Sequence, residues 1–211
     1  MPLIQMLDNK SRYTILLYHG VHEDDLEVKL RNSSGKHIPS ARFEREMSWL
    51  NKNRPLISMA DIESYYVSGK PIPDGAVAVN FDDGYLNNYT TAWPILEKYQ
   101  IPATIYLTTG FIGTGLVGWG DCLEDAIIGS IQTNLEVEIE GSLQYWGLKT
   151  DKEKVTAFTQ IKAICKSLSE ADKNLVISSV VKATGYETTT DNPLYCFMNW
   201  EQAREMNASE L

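Results

Sequence analysis

Two carboxylates stand side by side at Asp82 and Asp83, and Gly84 follows them directly. Adjacent acids repel, so a site that keeps both must separate their roles. A divalent cation does this: one aspartate ligates the metal, and the other stays free as a general base toward a metal-bound water. Gly84 lets the backbone turn sharply and leaves room for a substrate. The same three residues also read as an Asp-rich turn and helix cap, since Asp and Gly are common in loops. The preceding residues favour the site. Ala76 to Phe81 (AVAVNF) is a continuous apolar run broken only by Asn80, the pattern of a buried parallel strand, and α/β proteins place their sites beyond the carboxyl ends of such strands.

Three histidines, His19, His22 and His37, all precede the acids. His19 ends the apolar run Thr14 to Tyr18 (TILLY), so in a parallel sheet His19 and Tyr18 can line the same mouth as Asp82 and Asp83. His19-x-x-His22 is not a zinc spacing for a loop, and lone histidines are commonly hydrogen-bonded structural residues. Tyr85 adjoins Gly84 and joins the lining candidates, while Trp93, Trp119, Tyr145, Trp146 and Trp200 come later. Exposed aromatic faces suit sugar rings, although most Trp and Tyr residues serve cores and interfaces. There is no G-x-x-x-x-G-K-[ST], no G-x-S-x-G, and no G-x-G-x-x-G opening a helix after a strand, which removes support for a phosphate loop, a serine hydrolase and a dinucleotide fold. A magnesium-dependent aspartyl phosphotransferase would want D-x-D, because alternate residues of a strand share a face, and the adjacent pair disfavours it.

The elements that must position these groups alternate. A first strand at 14–18 is followed by a helix that Ser40 can cap, with Phe43, Met47 and Leu50 at i, i+4 and i+7. A brief second strand, Pro55 to Ile57, leads into a helix opened by the Ser58–Asp61 capping-box spacing and ending near Gly69. The strand at 76–81, a helix over about 88–100 with a kink or late start at Pro94, and a fourth strand at 103–107 complete a parallel α/β pattern with right-handed crossovers. From about Phe111 the pattern changes. A helix near 121–131, a hairpin of 135–139 with 143–146 turning at Gly141-Ser142, and helices over 151–168 and 169–183 make 111–197 an insertion in one α/β domain of residues 1–211. Asn199 with Gln202 caps a last helix running to the C-terminus.

Composition sets the outer limits. The chain has 211 residues, is 43% hydrophobic and 22% charged, and carries a net charge of −9, which excludes disorder and coiled coil and argues against nucleic acid as a partner. Residues 1–81 hold ten cationic and ten anionic side chains, so the whole of the −9 falls after Phe81. Asp121, Glu124, Asp125, Glu136, Glu138 and Glu140 form a stretch without Lys or Arg that reads as a solvated face. Cys122, Cys165 and Cys196 are too far apart for a zinc knuckle and odd in number for a disulfide framework, so buried free thiols are expected. The N-terminus lacks the basic and apolar regions of a signal peptide and no apolar run is long enough to span a membrane, which predicts a cytoplasmic chain.

Val79-Asn80-Phe81-Asp82-Asp83-Gly84-Tyr85, followed by Tyr99-Gln100-Ile101-Pro102-Ala103-Thr104-Ile105-Tyr106-Leu107, resembles the first motif and next strand of the polysaccharide deacetylases, the NodB-homology group or carbohydrate esterase family 4. Leu17 to Val21 resembles the family's opening strand, and Trp119 to Glu124 its helical insertion. The resemblance implies a partial (β/α) barrel of about four parallel strands with flanking helices and a helical plus hairpin insertion. It also implies hydrolysis of N- or O-acetyl groups on oligo- or polysaccharides with zinc or another divalent cation, Asp82 as general base and Asp83 as metal ligand. Asn80 replaces the commoner threonine. The family completes its metal site with an H-[ST]-x-x-H motif after the helix that Asn199 to Met206 resembles, whereas this sequence has no histidine after His37. The resemblance therefore predicts a chain cut short before those ligands, with the cation weakly bound or absent and no activity alone. Four strand-helix units cannot close a barrel, so the open sheet edges are expected either to invite self-association or to be covered by the helices of 111–197. The alternative is a non-catalytic carbohydrate-binding or partner-binding remnant.

Overall fold

The computed structural model describes residues 12–26, 28, 30–187 and 192–209. The expectations for the first residues at the N-terminus and for the last residues at the C-terminus lie outside them. The run at 14–18 is strand β1 (Tyr13–Tyr18). Two three-residue strands that the sequence pattern did not predict, β2 (Gly20–His22) and β3 (His37–Pro39), pair in parallel. Helix α1 (Ser40–Asn53) buries Phe43, Met47 and Leu50 as their spacing predicts. Its cap differs from the expectation. Ser40 is the first helical residue, and the orphan Ala41 N–H donates to the carboxylate of Asp24, 3.1 Å from each oxygen.

The second strand shrinks to a single parallel bridge, Leu56 to Val77. Pro55 has no N–H to extend a ladder, and Ser58 already caps α2 (Met59–Ser68) through the full capping box with Asp61, closed by left-handed Gly69. Strand β4 (Ala76–Phe81) is buried at all six positions. Val77, Val79 and Phe81 meet Phe43, Met47, Leu50 and Leu96 on one face, and Ala76 and Ala78 meet Ile57, Ile62 and Ile72 on the other. Burial on both faces explains why the run is continuous and not alternating. A π-helical turn, Asn88–Ala92, runs into α3 (Trp93–Tyr99). Pro94 lacks the N–H that an i→i−4 bond would use, so the α-helix starts late. With β5 (Ala103–Ile105), the parallel sheet has the order β1-β4-β5 and does not close.

The described chain comprises two compact units, Met1–Leu26 with Gly35–Gly115 and Cys196–Leu211, and Glu27–Ser34 with Leu116–Tyr195. The second contains α4 (Trp119–Ile128), β6 (Asn134–Ile139), β7 (Ser142–Gly147), α5 (Asp151–Ser167) and α6 (Glu170–Thr184). Leu135, Val137 and Ile139 of β6 enter a core with Leu123, Ile127, Phe158 and Ile161. The antiparallel β6–β7 hairpin turns at Glu140-Gly141, one residue earlier than expected, with φ of +51° and +77°, as a two-residue hairpin turn requires.

The acidic stretch is not one solvated face. Glu136, Glu138 and Glu140 are exposed, but Asp121, Glu124 and Asp125 are 4, 3 and 2% exposed. Arg31 pairs with Asp125, to which the Tyr186 hydroxyl also donates at 2.7 Å. Glu124 accepts from Ser33 N–H and Oγ at 3.1 and 3.0 Å and from the Tyr195 hydroxyl at 3.1 Å. Buried carboxylates need such partners, and these come from segments far away in sequence. The three cysteines form no disulfide among the described residues, with Cys165 buried and the other two partly so. In the first unit, α7 (Trp200–Asn207) opens on the expected Asn199–Gln202 capping box. No helix among the described residues is long and apolar enough to cross a membrane.

Candidate active site at the end of strand β4

The β1–β4 register runs to Tyr18 opposite Phe81, and the Asp82 N–H donates to the Tyr18 carbonyl at 3.0 Å. The strand then ends in a three-residue turn closed by Gly84 N–H donating to the Asp82 carbonyl at 3.0 Å. Asp83, at its centre, has φ +74°. That left-handed conformation is uncommon for a residue with a side chain, and Asp tolerates it better than most. Gly84 follows at φ +81°, and a Cβ there would stand 2.7 Å from Leu107 Cδ2 and 3.1 Å from Ile112 Cδ1. Gly84 is thus demanded twice, by dihedral and by space.

The turn is tied down on its far side. The Asp83 carbonyl accepts from Thr108 N–H at 3.1 Å, the Gly84 carbonyl from Met198 N–H at 3.0 Å, and Leu86 N–H donates to the Cys196 carbonyl at 2.7 Å. Tyr85 is 3% exposed, stacked on Phe197 at 4.7 Å between ring centres, and its hydroxyl accepts from Lys36 Nζ at 2.7 Å. Asn87 Oδ1 accepts from Val21 N–H at 3.3 Å, and its Nδ2 lies 3.1 Å from His37 Nδ1. Burial, with Lys36, His22 and His19 as further contributors, lowers the pKa of His37 to about 3. The ring is therefore neutral, and its Nδ1 accepts from the Asn87 amide. The short β2–β3 ribbon and the 196–198 segment clamp residues 84–87 from two directions and hold both carboxylates at the strand's end.

Of the residues singled out from sequence, Asp82, Asp83 and Gly84 form this turn, and half-buried His19 follows Tyr18 directly at the neighbouring strand end. Tyr18 touches the site through its carbonyl. Its ring packs against Phe43 and Phe81, and its hydroxyl donates to Glu46 at 2.9 Å, with its pKa pushed up by burial and then by that carboxylate. Buried His22 places Nδ1 2.8 Å from the Glu23 carbonyl. Lys36, Asn87 and Phe197 escaped the sequence reading. The Asn-Asn pair just past the acids was the only local signal, since Lys36 and Phe197 arrive by tertiary contact. Among the described residues no three His, Cys, Asp or Glu side chains gather as cation ligands.

The polysaccharide deacetylase family model matches residues 69–140, spanning β4, the acidic turn, α3 and β5. Over those residues this chain is similar to the polysaccharide deacetylases. It is 30% identical over 109 residues to YxkH of Bacillus subtilis (strain 168), whose own name assigns it only provisionally to the polysaccharide deacetylases. That match covers 50% of this chain and 35% of YxkH. It is also 30% identical over 93 residues to the poly-beta-1,6-N-acetyl-D-glucosamine N-deacetylase of Escherichia coli (strain K12), covering 43% of this chain and 13% of that one. The chain thus spans about a third or less of these relatives. Among solved structures, IcaB from Ammonifex degensii aligns with a TM-score of 0.43 at 24% identity, over 53% of this chain and 47% of IcaB.

Proposed function

We propose that this chain supplies the general-base side of a site that hydrolyses acetyl groups on oligo- or polysaccharides. Asp82 takes a proton from the water that attacks the acetyl carbon. The carbon–nitrogen or carbon–oxygen bond then breaks, acetate leaves, and the proton passes to the sugar amine or hydroxyl. The observation that carries this reading is Asp83 held at φ +74° where a buried parallel strand ends, since strained residues are retained where surrounding structure imposes them for use. Zinc or another divalent cation, held by Asp83, would polarise the acetyl carbonyl. A catalytic zinc needs about three protein ligands, and the described residues bring no such set together, so they do not fit a tightly held cation and the chain alone is expected to be inactive unless the metal is supplied in large excess. On this reading 1–211 is a single deacetylase-type domain with an insertion at 111–197, and the edges of β1 and β5, which no strand pairs among the described residues, are surfaces for self-association.

The missing ligand set also favours a second reading, a sugar- or partner-binding mouth without chemistry. Acetate release from an acetylated β-1,6-glucosamine oligomer, measured while zinc is raised to millimolar levels, separates the two. The base reading expects slow release that Asp82→Asn abolishes. No release at any zinc level, with the oligomer still shifting the amide resonances of Asp83 and Thr108, would replace it with the binding reading. Turnover at ordinary enzyme rates with one tightly bound zinc would overturn the expected inactivity.

A further inference from the structure

Strand β1 is the outer strand of the β1-β4-β5 sheet, and among the described residues no strand pairs its far side. The Gly75 N–H donates to the Arg12 carbonyl and the Asp82 N–H to the Tyr18 carbonyl, so the even-numbered residues of β1 turn their backbone groups toward β4. Successive residues of a strand in a parallel ladder alternate sides. Tyr13, Ile15 and Leu17 therefore hold three N–H and three C=O groups outward, where only water or another strand can satisfy them. The other open edge offers less, since β5 has three residues, Ala103–Ile105, and begins directly after Pro102.

The side chains of the same three residues make this edge adhesive. Ile15 and Leu17 are 43 and 56% exposed, on the sheet face shared with Ala76 and Ala78, while Leu16 and Tyr18 pack on the opposite face with Phe43 and Phe81. Tyr13 fixes one end of the stripe, its hydroxyl 2.8 Å from that of Tyr66 on α2. Edge strands of natural sheets are usually blunted by a lysine, a proline or a bulge. The sequence of β1, Tyr-Thr-Ile-Leu-Leu-Tyr, has no charge and no proline, and its ladder with β4 runs without a bulge. Although the chain carries a net charge of −9, two copies can meet here without like charges facing each other.

We infer that two copies of this chain pair through β1, antiparallel and about a twofold axis at Ile15, which joins two three-stranded sheets into one. This pairing rests on the reading of the open edges as self-association surfaces, and not on the chemistry of Asp82. The outward groups set the register. With Ile15 opposite Ile15 of the second copy, Tyr13 lies opposite Leu17 and Leu17 opposite Tyr13, and each pair exchanges both backbone bonds. All the outward groups are then satisfied, and residues 13, 15 and 17 of both copies form one apolar stripe on a single face. Arg12 falls opposite Tyr18 and not opposite its own copy. A slip of one residue would set Ile15 against Leu16, whose backbone groups already face β4, and would throw the side chains to opposite faces. The contact uses the same edge on both copies, so it closes as a dimer and does not propagate into fibres.

Sedimentation equilibrium of the full chain between about 1 and 100 μM should show monomer and dimer and no larger species. Leu17→Lys puts a charge on the edge, the device that keeps natural edge strands apart, and should raise the dimer dissociation constant at least about tenfold while circular dichroism stays unchanged, because Leu17 is exposed. Under mild oxidation Ile15→Cys should form a covalent dimer above the wild-type background, since residues opposite each other in a bonded pair have Cα atoms about 5.5 Å apart, within the reach of a disulfide. Thr14→Cys, offset by two residues from its own copy, should not. Asp82→Asn should leave the equilibrium as it is, so failure of acetate release and failure of the dimer are separate outcomes. A wild type that stays monomeric throughout would overturn both the β1 pairing and self-association through open edges. A dimer that Leu17→Lys leaves intact, or equal cross-linking of Ile15→Cys and Thr14→Cys, would overturn the β1 pairing alone and place the contact elsewhere.

Discussion

Gly20 and Gly84 are glycines for different physical reasons, and the difference is measurable. Gly20 does not adopt a left-handed φ, but a Cβ there would lie 1.9 Å from His37 Nδ1 and 2.6 Å from Asn87 Oδ1. The requirement is purely one of space, created by the ring that clamps the acidic turn. Gly84 combines φ +81° with a Leu107 methyl 2.7 Å from the would-be Cβ, whereas Gly35, at φ +67°, has nothing within reach. A left-handed alanine costs about 1–2 kcal/mol, and overpacking a filled site about 1–3 kcal/mol. Urea unfolding should therefore rank Gly35→Ala as the mildest, Gly20→Ala next, and Gly84→Ala the most destabilising, at roughly 2–5 kcal/mol when both effects add. A Gly20→Ala protein as stable as wild type would mean that the His37 ring yields and does not fix the turn. The acids themselves were readable from sequence because the motif is local. Lys36, Asn87 and Phe197 were not, because their roles depend on which surface folds back onto Tyr85.

At the scale of elements, α1 shows how a cap can be misassigned when its donor and acceptor are far apart. Ser40 stands where a serine cap would be expected, yet it is the first helical residue, and the Ala41 N–H is satisfied by Asp24. Replacing an N-cap acceptor costs about 0.5–2 kcal/mol. Asp24→Ala should thus destabilise the protein by about 1 kcal/mol, and Ser40→Ala should change the unfolding midpoint little. The reverse order would restore Ser40 as the cap. The capping boxes at Ser58 and Asn199 were legible because both partners lie within four residues, and β4 because burial on both faces leaves an unbroken apolar run. The β2–β3 ribbon escaped because three residues are too few to show a period, and its pairing bridges a long loop. The segment 55–57 has strand-like composition but was stopped by Pro55 on one side and a helix cap on the other.

For the whole molecule, net charge misleads where burial redistributes it. Of the acids read as one solvated face, half are interior groups whose partners come from elsewhere, which no count of neighbouring charges can reveal. Histidine gives the same lesson for pH. Three histidines in 211 residues promise little titration, but His37 is 2% exposed and its folded pKa is lowered to about 3, mainly by burial. In the unfolded chain an ordinary histidine titrates near 6.5. Between those values the unfolded state binds a proton that the folded state refuses, so stability falls as pH drops below about 6.5 and stops falling on this account near pH 3. The slope is about 1.4 kcal/mol per pH unit, or roughly 3 kcal/mol lost by pH 4. Urea unfolding at pH 7 and pH 4.5 should show this loss in the wild type. In His37→Gln, which keeps an acceptor for the Asn87 amide but cannot titrate, the loss should shrink by about 2–3 kcal/mol. An equal acid loss in both proteins would place the acid sensitivity in the carboxylates and show that the clamp beside Asp82 and Asp83 accommodates a charged imidazole.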